Sequence, residues 1–452
     1  MLQSALLPTS LFQDVITDLS YSYYGTSLAV ACADHRVRIF TLSPSLSHYA
    51  PLPNGHSNAP GEGSAGGWEL DDEFKAHDAP LTRVCYAHPA YGPILATAAF
   101  DRTVKIWEDV PSRAASSQRT RWVERKVLPD LGASVRSLEW APEPLGLKLA
   151  GVGADGWVRI WECLDLPLLS TWEAKEEVDM LALLGAPGSG GLTPSGEKEP
   201  APALPQQVGR ELQRAERPGQ YRSGSGSGAQ GEKETDGGWA VAWCAERWWG
   251  DVLAVCCGQA GVVKIMQFPG STARPITLAT LHPPVPPLPA APSLPTLTAP
   301  APPRRRHPDS HSHSPLPDDP PSPPVVPLTS VAWAPACGRS FHLIAAGSEA
   351  GGVFLWKVAP RTREGTEEEG GWQGGVELVG EFEEHGGRPV GRVQFNPTGT
   401  ILSSAGDDGR VRLWKASFTG VWRAMGSVYA TPGGEEEDEM MDEDGEGEGY
   451  ES

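Results

Sequence analysis

Two sets of residues in this chain have the composition of a catalytic relay. The first is His77, Thr97, Asp101 and Trp107, and the second is His385, Ser404, Asp408 and Trp414. A carboxylate that orients an imidazole, which in turn faces a hydroxyl, is the arrangement that activates a nucleophilic hydroxyl. Both sets keep one order and nearly one spacing, and this recurrence argues for architecture over catalysis. Four buried polar groups that satisfy one another meet the requirement that buried polar atoms be paired. Such a network can specify the geometry of a repeated unit. No catalytic, cofactor-binding or metal-binding residue is assigned on this reading.

The turn acids of both sets belong to a longer phrase: an Asp, then Val, then Ile or Leu, then an aromatic. It runs from Asp34 to Phe40, Asp101 to Trp107, Asp155 to Trp161 and Asp408 to Trp414, and weaker copies end at Phe268 and Trp356. The Asp and the residue after it make a tight turn between two strands. The following residues alternate, so Val and Ile or Leu face one side and Arg or Lys the other. Upstream lie two more apolar runs, such as Ser330–Pro335 followed by Leu343–Ala346. Downstream comes a looser strand with an aromatic, Trp122, Trp172, Phe382 or Trp422. Self-similarity of this kind marks WD repeats. The fold class is therefore all-β, a WD-repeat β-propeller whose blades each have four strands.

Six units are counted. Unit four lacks the turn Asp, and unit five has Ala350 at that place. The first unit begins its own inner strand near Val15, and the last supplies its own outer strand from Val421 to Val428. Little is left over to clasp the ring. The propeller is expected to be open, with unpaired edges and apolar blade faces that mark a partner site.

Around these units the composition changes. The expected organisation is an N-terminal segment 1–12, a propeller over 13–430, and an acidic tail over 431–452. Within the propeller, Gly-, Ser-, Glu- and Pro-rich stretches at about 51–67, 185–236, 269–326 and 360–375 read as disordered insertions. Such compositions bury too little apolar surface to offset the entropy of ordering. The net charge is −20, and eleven of the acids stand in the tail, so phosphate-backbone binding is not the main task. Arg304–Arg306 with His307, His311 and His313 is too small and loosely spaced an island to assign to import or metal binding. The seven cysteines are scattered without a Cys-x-x-Cys pair, as reduced core thiols are. Neither a leader nor a membrane-spanning apolar run is read, so a soluble intracellular protein is expected.

Particular phrases go beyond the repeat. Asp14-Val-Ile-Thr-Asp-Leu-Ser-Tyr-Ser-Tyr-Tyr-Gly25 and Ala87-His-Pro-Ala-Tyr-Gly92 resemble the opening blades of two sister families, the Sec-thirteen type and the Seh-type nucleoporins. Phe100–Glu108, Ala141–Ala150 with Ala154–Glu162, Gly406–Lys415 and above all Gly338-Arg-Ser-Phe-His342 favour the Seh type. That resemblance implies a non-enzymatic scaffold subunit of the Y-shaped outer ring of the nuclear pore, at the nuclear envelope, supporting nucleocytoplasmic transport and mRNA export. It implies an open propeller completed by a blade from a helical scaffold nucleoporin. It also implies other Y-complex partners and a second setting, the SEA/GATOR complex at the vacuolar or lysosomal surface, which regulates TOR nutrient signalling. Neither nucleic acid nor membrane insertion is implied. The alternatives are a COPII-type coat subunit in ER-to-Golgi transport and a WD-repeat peptide reader. The reader would need Arg36, Arg38, Arg159, Arg410 and Arg412 to converge.

Overall fold

Alternating apolar residues, Asx turns and glycines at left-handed turn positions give the described residues of this chain 24 strands in six sheets of four. The computed structural model describes residues 7–42, 67–110, 121–128, 131–185, 238–270, 274–284, 325–360, 372 and 375–429. Blade one is β1 (Ile16–Tyr21), β2 (Ser27–Cys32), β3 (Arg36–Leu42) and β4 (Trp68–Lys75). Blade two is β5 (Leu81–Tyr86), β6 (Ile94–Ala99), β7 (Val104–Asp109) and β8 (Trp122–Leu128). Blade three is β9 (Val135–Trp140), β10 (Lys148–Gly153), β11 (Trp157–Cys163) and β12 (Trp172–Asp179), followed by a short helix, α1 (Met180–Gly185). Blade four is β13 (Trp239–Trp243), β14 (Asp251–Cys257), β15 (Val262–Phe268) and β16 (Ile276–Leu281). Blade five is β17 (Leu328–Trp333), β18 (His342–Ser348), β19 (Val353–Val358) and β20 (Val376–Phe382). Blade six is β21 (Val390–Phe395), β22 (Ile401–Gly406), β23 (Arg410–Ala416) and β24 (Trp422–Tyr429).

Every sheet is built from four consecutive antiparallel strands, and none borrows a strand from another blade. The β2–β3 type of hairpin has one cause throughout. The turn Asp accepts from the amide two residues on, as in Asp34 with Arg36 (3.1 Å), Asp101 with Thr103 (3.0 Å), Asp155 with Trp157 (3.1 Å) and Asp408 with Arg410 (3.2 Å). The residue between them is left-handed: His35, Arg102, Gly156 or Gly409. Blade five, with Ala350, uses Ser348 Oγ to accept from the Gly352 amide at 2.9 Å. The middle strands of the inner blades are buried on both faces. Their cores interlock, so Ala96, Ala98, Val104 and Ile106 of blade two pack against Val135, Leu138, Trp140 and Leu149 of blade three.

Two expected insertions narrow. Ile276–Leu281, inside the stretch 269–326, is the outer strand of blade four, because its alternating Ile-Thr-Leu-Ala-Thr-Leu run pairs with β15. Trp372, inside 360–375, is only 2% exposed. Its amide donates to Leu278 O at 2.8 Å, and its ring stacks on His342 at 5.0 Å, tying blade four to blade five. Residues 271–273, 285–324, 361–371 and 373–374 of these insertions, those at 51–66 and 186–236, and the acidic tail lie outside the described residues. Among the described residues no helix is long and apolar enough to cross a membrane. None of the seven cysteines forms a disulfide.

Candidate functional site

The two polar tetrads are hydrogen-bonded chains closed inside their blades. His77 Nδ1 lies 2.8 Å from Asp101 Oδ2 and its Nε2 lies 2.7 Å from Thr97 Oγ1, which accepts from Trp107 Nε1 at 2.9 Å. In blade six, His385 lies 3.0 Å from Asp408 and 2.8 Å from Ser404 Oγ, which accepts from Trp414 Nε1 at 3.0 Å. Both hydroxyl residues are 0% exposed, so no substrate reaches them. Burial works against the charge of Asp101, but hydrogen bonds from His77 and Thr103 outweigh it and hold the carboxyl below its usual range. In Asp408 the same opposition, settled by Arg412 and His385, brings the carboxyl to about 2. Phe40, Trp161 and Trp356, which end the corresponding strands of blades one, three and five, are buried as well.

Arg38 and Arg159 are buried, and all five arginines that a peptide reader would need have partners close by in the fold. Arg38 is held by Asp34 at 2.6 Å and Glu73 at 3.0 Å, Arg159 by Glu177 at 3.2 Å, and Arg36 by Glu73 at 3.4 Å. Arg412 binds Asp408, and Arg410 lies over the Tyr429 ring. Each is engaged in its own blade. Among the described residues no group of three or more His, Cys, Asp or Glu side chains could hold a metal ion.

The surface that stands apart is the seam between blades six and one. Inner strands pack side by side from β1 through β5, β9, β13 and β17 to β21, but β21 and β1 do not pack in this way. The Arg392 side chain spans the gap to Asp18 of blade one. Exposed large apolar residues gather on the two blades that flank it. Blade one exposes Ile16, Leu19, Tyr21, Leu42 and Leu70, and blade six exposes Val411, Met425, Val428 and Tyr429. On blade six, register puts Val411 and Val428 opposite each other, as Val104 and Leu128 are in blade two. These are the positions that blade two buries against blade three.

The facing side of blade one is partly covered by the chain itself, which departs from the expectation that both seam faces lack a neighbour. Leu7, Leu11 and Phe12 pack on Leu28, Val30 and Phe40, around a 3-10 turn at Thr9–Leu11. The reason is visible elsewhere in the ring. In blade two, Phe74 from the preceding blade packs on Trp107 (4.7 Å), and in blade six Phe382 from the preceding blade stacks on Trp414 (4.2 Å). Phe12 stands in that relation to Phe40 at 6.1 Å. Residues 7–12 thus supply the aromatic of a preceding outer strand without supplying a blade. Leu19, Tyr21 and Leu70 remain uncovered.

The distinctive Gly338–His342 phrase also acquires a role. Arg339 donates to Pro335 O at 2.6 Å and to Gly399 O at 2.8 Å, clamping the head of blade five to a turn of blade six. Burial brings His342 down to about 4, so it packs against Trp333 and Trp372 as a neutral ring.

A family model for the WD domain, G-beta repeat, matches residues 68–108 and 376–415. Nucleoporin SEH1 of Saccharomyces cerevisiae is 27% identical, over 92% of this chain and 97% of that one. Nucleoporin seh1 of Schizosaccharomyces pombe is 27% identical, over 92% and 94%. The chain carries WD repeats and is similar to Seh-type nucleoporins over most of its length. Nucleoporin SEH1 of Homo sapiens is 26% identical, over 92% of this chain and 85% of that one, so the likeness holds across distant species. In this Seh-like propeller the tetrads and the blade-five clamp were marked by residue type and phrase. The seam cover and the pair of Asp18 with Arg392 were not, because their partners are hundreds of residues apart or carry no motif.

Proposed function

We propose that this Seh-like chain is a non-enzymatic structural subunit of the nuclear pore at the nuclear envelope, and that its working surface is the seam. The observation that carries the reading is the contrast between five closed blade junctions and one open one with uncovered apolar residues. A helical scaffold nucleoporin fills the seam by adding a blade. Main-chain hydrogen bonds and apolar burial provide the affinity, and each fully buried side chain of Leu or Val size contributes roughly 1.5–3 kcal/mol. The tetrads hold blades two and six in shape and do no chemistry. Membership of the SEA/GATOR assembly uses the same surface.

Affinity purification of the full chain with mass spectrometry tests this. Recovery of nucleoporins, lost when Val411→Asp puts a charge on the seam face, is expected. Recovery of a coat outer-layer protein in place of nucleoporins would reassign the chain to vesicle transport. An undiminished set of partners with Val411→Asp would remove the seam from the account.

A further inference from the structure

Two of the five closed junctions, one to two and three to four, share a hydrogen-bonding pattern that the open one leaves half made; blade four, with Ala240 and Ala242 at the corresponding positions, and blade five, with Ser330 and Ala332, do not make it. Each inner strand ends in an aromatic: Tyr21, Tyr86, Trp140, Trp243, Trp333 or Phe395. In blade one, the residue just before the aromatic and the residue three before it are Ser20 and Asp18. Asp18 Oδ2 accepts from the Val84 amide of blade two at 3.0 Å, and Ser20 Oγ accepts from the Tyr86 amide at 3.2 Å. Blade three repeats the arrangement with Ser137 and Glu139. They accept from the Val241 amide at 3.4 Å and the Trp243 amide at 3.0 Å of blade four. Where an Arg stands three before the aromatic, the direction reverses: Arg83 Nε donates to Arg136 O of blade three at 2.9 Å. Inner strands use one edge for their own sheet. In β5 and β13 the other edge is met by side chains of the blade before, which pair its amides.

At the seam both halves of this pattern stand open. Leu19 and Tyr21 of blade one occupy the positions of Val84 and Tyr86, with no blade before them to cap their amides. Arg392 and exposed Gln394 of blade six occupy the positions of Arg83 and Cys85; Arg392 reaches across to Asp18 of blade one, and no inner strand packs beside Gln394. Resting on the seam reading above, we propose that the occupant is selected through its inner strand by this ladder. It is an extended segment of another polypeptide that ends in an aromatic. Side-chain acceptors, Ser, Asp or Glu, stand immediately before and three before that aromatic. Those acceptors cap Tyr21 and Leu19. Gln394 Oε1 accepts from the amide of the incoming aromatic, and Arg392 turns from Asp18 to a carbonyl of the same strand.

None of the described inner strands is free to serve this chain or a second copy, because each is already in a blade. The Pro-rich stretch from Pro283 to Pro324 is a poor source, since proline removes the amides the ladder reads.

The test uses the full chain co-purified with the nucleoporin segment it captures. Amide exchange is followed at Leu19 and Tyr21, and affinity is measured for Gln394→Leu, Gln394→Glu and Val411→Asp. The ladder predicts fast exchange at Leu19 and Tyr21 in the free chain and slow exchange in the complex. It predicts a loss of about tenfold for Gln394→Leu, the order expected of one hydrogen bond lost with its acceptor. Gln394→Glu, which keeps an acceptor, stays near wild type. Replacing the segment's acceptors by Ala should restore fast exchange at Leu19 and Tyr21. Unchanged exchange at both amides, or equal affinities for Leu and Gln at 394 while Val411→Asp abolishes binding, would overturn the ladder and leave the seam reading standing. Wild-type affinity for Val411→Asp would instead overturn the seam reading itself.

Discussion

Blade two and blade six are close to the same sentence written twice. Val104-Lys-Ile-Trp107 and Val411-Arg-Leu-Trp414 share a register, a turn Asp and a His–hydroxyl–Trp chain. Yet Val104 is 0% exposed and Val411 is 39%, and Leu128 is 4% exposed against 37% for Val428. The residues are equivalent and their environments are not. A blade's own strands set which way each side chain points, and only the next blade determines whether water reaches it. Blade two has blade three; blade six faces the seam.

The largest effect that can break this comparison is a charge on each seam-side valine. Val104→Asp places an unpaired carboxylate in a closed core and should cost several kcal/mol, enough to lose the folded chain. Val411→Asp should leave thermal unfolding of the free chain within about 0.5 kcal/mol, as exposed substitutions do. Equal destabilisation of the two in thermal scans would mean that blade six is already covered.

Next come the turn acids. Asp101→Ala and Asp408→Ala each strip acceptors from a buried chain and should cost on the order of 1–3 kcal/mol. At equal loss of stability, Asp408→Ala should weaken partner binding more, because its blade borders the seam. Titration of both variants against the captured nucleoporin would separate them, and equal affinities would argue that the partner does not rest on blade six.

Phe12→Ala probes the other side of the seam at smaller cost. Removing the ring that lies on Phe40 should destabilise by about 1–2 kcal/mol, less than a core Phe because the segment is half-exposed. Fluorescence-monitored urea unfolding would read it. No change would mean that residues 7–12 do not cover blade one in solution.

The smallest effect is in acid. Both turn acids have folded pKa values below the ordinary 3.8, so each stabilises the fold above that pH and the contribution is lost as pH falls, through about 2 for Asp408. Unfolding followed from pH 4 to pH 2 should therefore steepen less in Asp408→Asn than in wild type. His342 adds an earlier limb: folded near 4 against 6.5 unfolded, it withdraws stability as pH drops across that interval, and His342→Phe should flatten it.

Much of this was legible before any fold was seen. The strand phrases, the six units, the absence of a lent strand, the tetrads and the Seh resemblance all rest on local residue type and spacing. What escaped did so for a reason. β16 hid in a Pro-rich surrounding, though its alternation from Ile276 to Leu281 was a usable signal. Trp372 sat among Gly and Glu, and its place against His342 depends on a contact between two blades. The cover made by Leu7, Leu11 and Phe12 has no periodicity at all.

By itself, then, the sequence determined the blades, because hydrogen bonding between neighbouring strands and alternation along them are short-range and repeat. Only the tertiary structure decided which blade faces are cores and which are surfaces. It also decided which inner-strand amides are capped and where Asp18 meets Arg392. Those outcomes depend on the presence of a neighbour across a junction, and two blades with the same residues can differ in nothing else.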